Sequence, residues 1–158
     1  MTYILGHRSR NELEGVHPRL VAVVERAIEI TSVDFAVHDG LRTEDEQREY
    51  VARGVSQTMA SKHLTQADGY GHAVDLVPWI GGRLRWEWPP IFEIAAAVYK
   101  AAAELEVQLT WGGVWDRALL DLNVGMLEHE VNQYVDRRRA MGHRRVFIDG
   151  PHFELMTP

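Results

Sequence analysis

Cysteine is absent from this chain of 158 residues. That excludes disulfides, thiolate nucleophiles and sulfur-ligated metals, so any metal must be held by His, Asp, Glu or water. Long apolar runs are absent too. No window approaches the ~20 apolar residues of a membrane span, and membrane insertion is not expected. The first residues, Met1 to Arg8, contain no basic stretch followed by an apolar one. No signal peptide is therefore expected, and the chain is read as made in a cytoplasm. Excess positive charge is also missing. A formal charge of −6 argues against a broad nucleic-acid surface. Arg137, Arg138, Arg139, Arg144 and Arg145 form a local basic run, read as a solvated helix end.

What is present suits a soluble enzyme-sized domain. Hydrophobic residues make up 46% and charged residues 25%, enough for one core, and residues 1–158 are expected to form one domain. Eight histidines is a high count for this length and invites a search for a nitrogen-ligated metal.

Pro18 followed by apolar residues at helical spacing predicts a helix over 18–31. Residues 33–38 alternate as a strand. Thr43 and Glu46 form a capping box that opens a helix over 44–53. Residues 55–71 look irregular, and Ala73 to Val77 reads as the next strand. Gly81-Gly82 is a turn, and Pro89-Pro90 opens an alanine-rich helix to about 105. Val107 to Trp111 reads as a strand, 116–141 as one or two helices, and Val146–Ile148 and His152–Met156 as final strands. The expected class is α+β, a small and mostly antiparallel sheet with helices packed on one side.

Three polar groups stand in or beside strand-like runs. Asp75 follows Ala73-Val74 and precedes Leu76-Val77, where an unpaired carboxylate would be costly. His152 lies between Pro151 and Phe153, and His63 follows Ser61-Lys62. Two imidazoles, one carboxylate and an open position form a known catalytic zinc pattern. Isolated histidines on strands are more often core or surface residues, so the residues by themselves leave the point open. Asp149 lies three before His152, placed to act as a base, and Arg42 would suit an oxyanion.

Ser61-Lys62-His63 with Gly71-His72-Ala73-Val74-Asp75 resembles the S-x-H-x-x-G-x-A-x-D motif of the D-alanyl-D-alanine metallopeptidases. That family includes the VanX and VanY types and the phage L-alanyl-D-glutamate endopeptidases, and hedgehog domains share its fold. Asp149-Gly150-Pro151-His152 is similar to its second motif. Leu13 to Pro18, Gly40-Leu41-Arg42-Thr43 with Gln47, Ser56-Gln57-Thr58 and Trp111-Gly112-Gly113 resemble the endolysin branch.

The resemblance implies a zinc-dependent peptidoglycan peptidase that cuts the L-Ala–D-Glu bond of the stem peptide. It implies His63, Asp75 and His152 as ligands of one Zn²⁺, Asp149 as catalytic base and Arg42 as the substrate and transition-state arginine. Ser61 and Gln57 fall in segments lining the site. Trp111 or Trp115, flanking the glycine pair, is expected to wall the substrate groove. As an endolysin the protein would reach the wall after a holin-type pore opens the membrane. A D-Ala–D-Ala carboxypeptidase of the same fold is the nearest alternative, and a catalytically silent zinc-stabilised wall-binding module is another.

Two departures from the family pattern stand out. The stretch Thr65 to Tyr70 carries about five extra residues between His63 and Gly71 and makes His72 a rival ligand to the preferred His63. Residues of about 116–145 form a helical insertion that reads as a lid, a wall-binding surface or plain packing. His129-Glu130 opens like a zincin helix, but Gln133 stands where the second histidine is required. Trp79, Trp86 and Trp88 are read as core or hairpin residues before a glycan contact. Glu154 is read as orienting His152 or facing solvent.

Overall fold

The computed structural model describes residues 2–56 and 58–156. Five helices and five strands run in the order α1 (His7–Glu12), α2 (Pro18–Ile30), β1 (Phe35–Asp39), α3 (Glu44–Ala52), β2 (Ala73–Ile80), β3 (Arg83–Leu84), α4 (Trp88–Leu105), β4 (Leu109–Trp111), α5 (Leu127–Ala140) and β5 (His152–Leu155). The sheet order is β1-β2-β5-β4, with β3 hairpinned onto β2, and every pairing is antiparallel. The class is α+β.

The pleat decides which residues meet the core. Val74 and Leu76 of β2, Phe153 and Leu155 of β5, and Leu109 and Trp111 of β4 point to the helices and join one apolar cluster. Their neighbours Asp75, His152 and Glu154 must then point to the opposite face. Registry puts Asp75 beside His152 and Ala73 beside Glu154. The last strand in the chain thus lies centrally, and that insertion brings two distant polar residues side by side.

α2 and α4 cover the core face. His17 caps α2 by accepting from Arg19 N–H, and Pro18 takes the first turn, where a missing N–H costs nothing. Leu20, Val23, Val24, Ala27 and Ile28 are buried at helical spacing. α4 opens on Pro89-Pro90, and its small Ala95, Ala101 and Ala102 let it lie close to its neighbours. α3 lies next to the site. Its Gln47 and Tyr50 turn towards Arg42 on the polar face of the sheet.

One helix was not expected, and one expected strand is absent. The six-residue α1 was not predicted, because it buries only Ser9 and shows no apolar stripe. Ser9 Oγ accepts the outward Val37 N–H at 3.0 Å and so covers the edge of β1. Val146–Ile148 is not a strand. Val146 and Ile148 pack inward and Phe147 points out, which imitates a strand's alternation without ladder bonds. The insertion contains two single-turn 3₁₀ helices before α5, and Leu119, Leu122, Leu127, Val131 and Tyr134 from it join the apolar cluster.

Candidate metal centre

The polar face of the sheet carries the site. His63, Asp75 and His152 each offer one ligating atom, and these atoms all lie within 4.8 Å of one another. His63 Nε2 is 3.3 Å and His152 Nδ1 3.2 Å from the same Asp75 oxygen, Oδ1. The two rings are edge to face at 5.1 Å.

The second nitrogen of each ring is already engaged. His63 Nδ1 lies 2.8 Å from the Gly40 carbonyl, which can only accept, so the proton sits on Nδ1 and the Nε2 lone pair is free. His152 Nε2 lies 2.9 Å from a Glu154 carboxylate oxygen, so its Nδ1 is the free donor. Outer partners of this kind fix the tautomer and aim of metal-binding imidazoles. Two nitrogens and one carboxylate oxygen converging in this way fit zinc with a fourth position open.

Electrostatics point the same way. Burial pushes the Asp75 carboxyl up, but the adjacent His63 and His152 imidazoles outweigh it and hold it well below the usual carboxylate range. Burial disfavours a charged His152, yet its hydrogen bonds to Asp75 and Glu154 and the nearby Asp149 raise it to about 10. Without a dication, a proton supplies the positive charge that these carboxylates demand.

His63 reaches the site from an irregular segment because the backbone pins it on both sides. Its carbonyl accepts from Arg42 N–H at 2.9 Å, and the carbonyl of Lys62 accepts from His72 N–H at 2.7 Å. The extra residues close on themselves, with Gln66 N–H donating to the Tyr70 carbonyl and Thr65 bridging Gly71, so they do not displace His63. His72 is held by Asp68 at 2.7 Å and stands outside the convergent group.

Asp149, Arg42 and Ser61 line the same cleft of about 510 Å³. Burial, reinforced by the charge of Asp75, lifts the Asp149 carboxyl to about 6 against the pull of His152, His63 and Arg42. Its position is set by the backbone. Asp149 N–H donates to Gly112 O, and Gly112 N–H donates to His152 O, both at 2.8 Å. A Cβ on Gly112 would lie 2.0 Å from the Asp149 carbonyl oxygen, so this approach requires glycine.

Arg42 is 7% exposed. Its Nε and one terminal nitrogen donate to Asp39, the other terminal nitrogen donates to Gln47, and its carbon lies 4.4 Å from the Tyr50 ring centroid. Of five guanidinium N–H groups, two remain for other partners. Asp39 faces the site only because β1 carries a bulge. Val37 pairs Leu76 but Asp39 pairs Asp75, so His38 is an extra residue and Asp39 turns to the polar face.

A family model described as phage L-alanyl-D-glutamate peptidase matches residues 1–156. The chain belongs to this family. It is 31% identical over 120 residues to the L-alanyl-D-glutamate peptidase of Escherichia phage T5, covering 73% of this chain and 84% of that one. It is also similar to the crystal structure of Serratia marcescens L-Ala D-Glu endopeptidase ChiX. There the TM-score is 0.70 and the identity 37%, over 97% of this chain and 90% of the other.

Against this family background, one expected substrate contact changes. Trp111 does not wall the groove. It is fully buried on the core face, and its indole N–H donates to Gly150 O at 2.7 Å. Trp115 takes that place, tilted over His152 at 5.1 Å and stacked on Phe147 at 5.8 Å. These two aromatics stand at the two ends of the insertion, which therefore forms one wall of the cleft. Ser61 Oγ accepts the His63 N–H at 3.1 Å, so it shapes the ligand loop as well as lining the cleft. Gln57 lies outside the described residues. Asp39, Tyr50 and Phe147 were missed from sequence. Asp39 three before Arg42 was a visible signal, whereas the Trp115–Phe147 stack joins residues 32 apart and left none.

Proposed function

We propose that this protein is a zinc-dependent hydrolase that cleaves the L-Ala–D-Glu bond of the peptidoglycan stem peptide. The observation that carries the reading is the convergence of His63 Nε2, Asp75 Oδ1 and His152 Nδ1, with each imidazole's other nitrogen engaged by Gly40 or Glu154. Membership of the phage peptidase family supports the choice of bond. The two relatives described above carry that activity in their names.

A zinc ion held by these residues supplies Lewis acidity, making water nucleophilic near neutral pH and polarising the scissile carbonyl. The chain's own groups do the rest. Asp149, with its carboxyl lifted to about 6, accepts a proton from the attacking water on a carboxylate oxygen. It returns that proton to the amide nitrogen as the C–N bond breaks, so the amine leaves neutral. The two uncommitted N–H groups of Arg42 stabilise the developing oxyanion, and Asp39, Gln47 and Tyr50 hold the guanidinium still. Trp115 and Phe147 screen one side of the cleft from water.

Among the described residues no helix is long and apolar enough to cross a membrane. As in the phage lysis reading, a holin-type pore would admit the protein to the wall.

Digestion of purified peptidoglycan, with mass spectrometry of the new N-termini, tests the proposal. New D-glutamyl amines are expected. Released D-Ala would move the reading to a carboxypeptidase, and wall binding without cleavage to a silent binding module. Asp149→Ala should keep its zinc and lose wall lysis. Undiminished lysis would remove Asp149 from the base role.

A further inference from the structure

A glutamate acylated on nitrogen by alanine carries two carboxyl groups, and a linear peptide continues through one of them. A second carboxyl, free or amidated, therefore accompanies the amine that leaves when the L-Ala–D-Glu bond is cut. Three carboxylates, Asp75, Asp149 and Glu154, already line the cleft, and the charge of a bound zinc would be answered by Asp75 and the oxygens of the reacting bond. Admitting another carboxylate requires a cation that is not already committed.

Two cationic side chains, Arg42 and Lys62, line the cleft among the described residues. Arg42 is committed. It donates twice to Asp39 and once to Gln47, and it lies 3.7 Å from Asp75 Oδ2. Lys62 is different. Its ammonium has no carboxylate within 4.0 Å and no hydrogen bond among the described residues. Its backbone is nonetheless fixed, because its carbonyl accepts from His72 N–H and the next residue is the ligand His63. The residue is half-buried, lines the cleft and has no counter-ion among the described residues.

We propose that Lys62 is the residue that selects D-glutamate, by pairing its ammonium with the carboxylate that remains on the leaving-group side of the scissile bond. The inference rests on the peptidase reading above. Lys62 lines the same cleft as the metal ligands and directly precedes one of them in the chain, so its flexible side chain starts beside the site. A lysine suits this task, since a point charge on a flexible stem can follow a carboxylate that moves as the amine departs.

The test uses the zinc-loaded protein and two stem peptides that differ at one group. In one the spare carboxyl of D-Glu is free, and in the other it is a primary amide. The wild type should prefer the free acid in kcat/KM by roughly 10- to 100-fold, the range of one charge-assisted hydrogen bond. Lys62→Met keeps the aliphatic stem and should bring that ratio towards unity, the change appearing in KM for the acid. Lys62→Arg should retain the preference. Equal kcat/KM on both peptides for the wild type, or equal losses on both in Lys62→Met, would overturn the role of Lys62 and leave the peptidase reading standing. Cleavage of neither peptide by the wild type would overturn the peptidase reading, and this inference with it.

Discussion

Asp149 shows how one residue can be a liability to the fold and an asset to the chemistry. Its carboxyl stands at about 6 because burial and Asp75 disfavour its charge. A raised acid stabilises the fold fully only below its unfolded value, near 3.8, and that contribution is lost as pH rises through about 6. Asp149→Asn removes the cost. In chelated protein the variant should be more stable than wild type above pH 6, by on the order of 2 kcal/mol. The gap should close on acidification and vanish below about pH 4, as urea midpoints across pH would reveal. A constant gap, or none, would contradict this account of the charge. Glu154 serves the site differently, by aiming His152. Glu154→Gln should weaken zinc binding roughly 10- to 100-fold in competition with a chromophoric chelator. Unchanged affinity would mean that the Glu154 contact does not tune the ligand. At this scale the sequence was informative for residues inside apolar runs, such as Asp75, because a carboxylate there demands a reason. It was misleading for Trp111, whose place beside two glycines resembled Trp115's.

Elements place these residues through backbone contacts more than through side chains. The bulge in β1 turns Asp39 onto the polar face, and Gly112 lets the end of β4 touch the Asp149 backbone. Gly112→Ala should therefore push the segment bearing Asp149 away and destabilise the protein by about 1–3 kcal/mol. Turnover should fall further than stability suggests, since a 1 Å misplacement can cost about 100-fold. Wild-type kcat together with a wild-type unfolding midpoint in this variant would count against the backbone contact as the positioning device. Helices α2, α3 and α4 were legible because caps, prolines and apolar spacing are local signals. α1 and the Val146–Ile148 segment were not. The first has no apolar stripe, and the second alternates without a ladder, so periodicity had nothing to report in one case and too much in the other.

At the scale of the molecule, the site exists because β5, the last strand, pairs with β2 and carries His152 to Asp75. The insertion adds Leu119, Leu127, Val131 and Tyr134 to the common apolar cluster and sets Trp115 and Phe147 over the cleft. We propose that the chain unfolds as one unit, and that zinc stabilises it by binding only the assembled ligands. Chelation should lower the melting temperature by roughly 5–10 °C at a free zinc concentration 100 times Kd. Fluorescence and circular dichroism should follow a single transition in both states. An unchanged melting temperature would oppose the metal centre, and two separated transitions would oppose the single unit. The sequence by itself determined helices α2, α3 and α4, the α+β class, the oxygen and nitrogen character of any metal site, and the motif that carries its family resemblance. All of these depend on residue type and short-range spacing. The motif already favoured His63 over His72, and tertiary structure brings His63 to Asp75. Tertiary structure alone decided that Trp115 replaces Trp111 at the cleft and that Lys62 has no counter-ion among the described residues. Those outcomes turn on strand order, bulges and loop closure, which join residues far apart in the chain and leave no periodic trace in it.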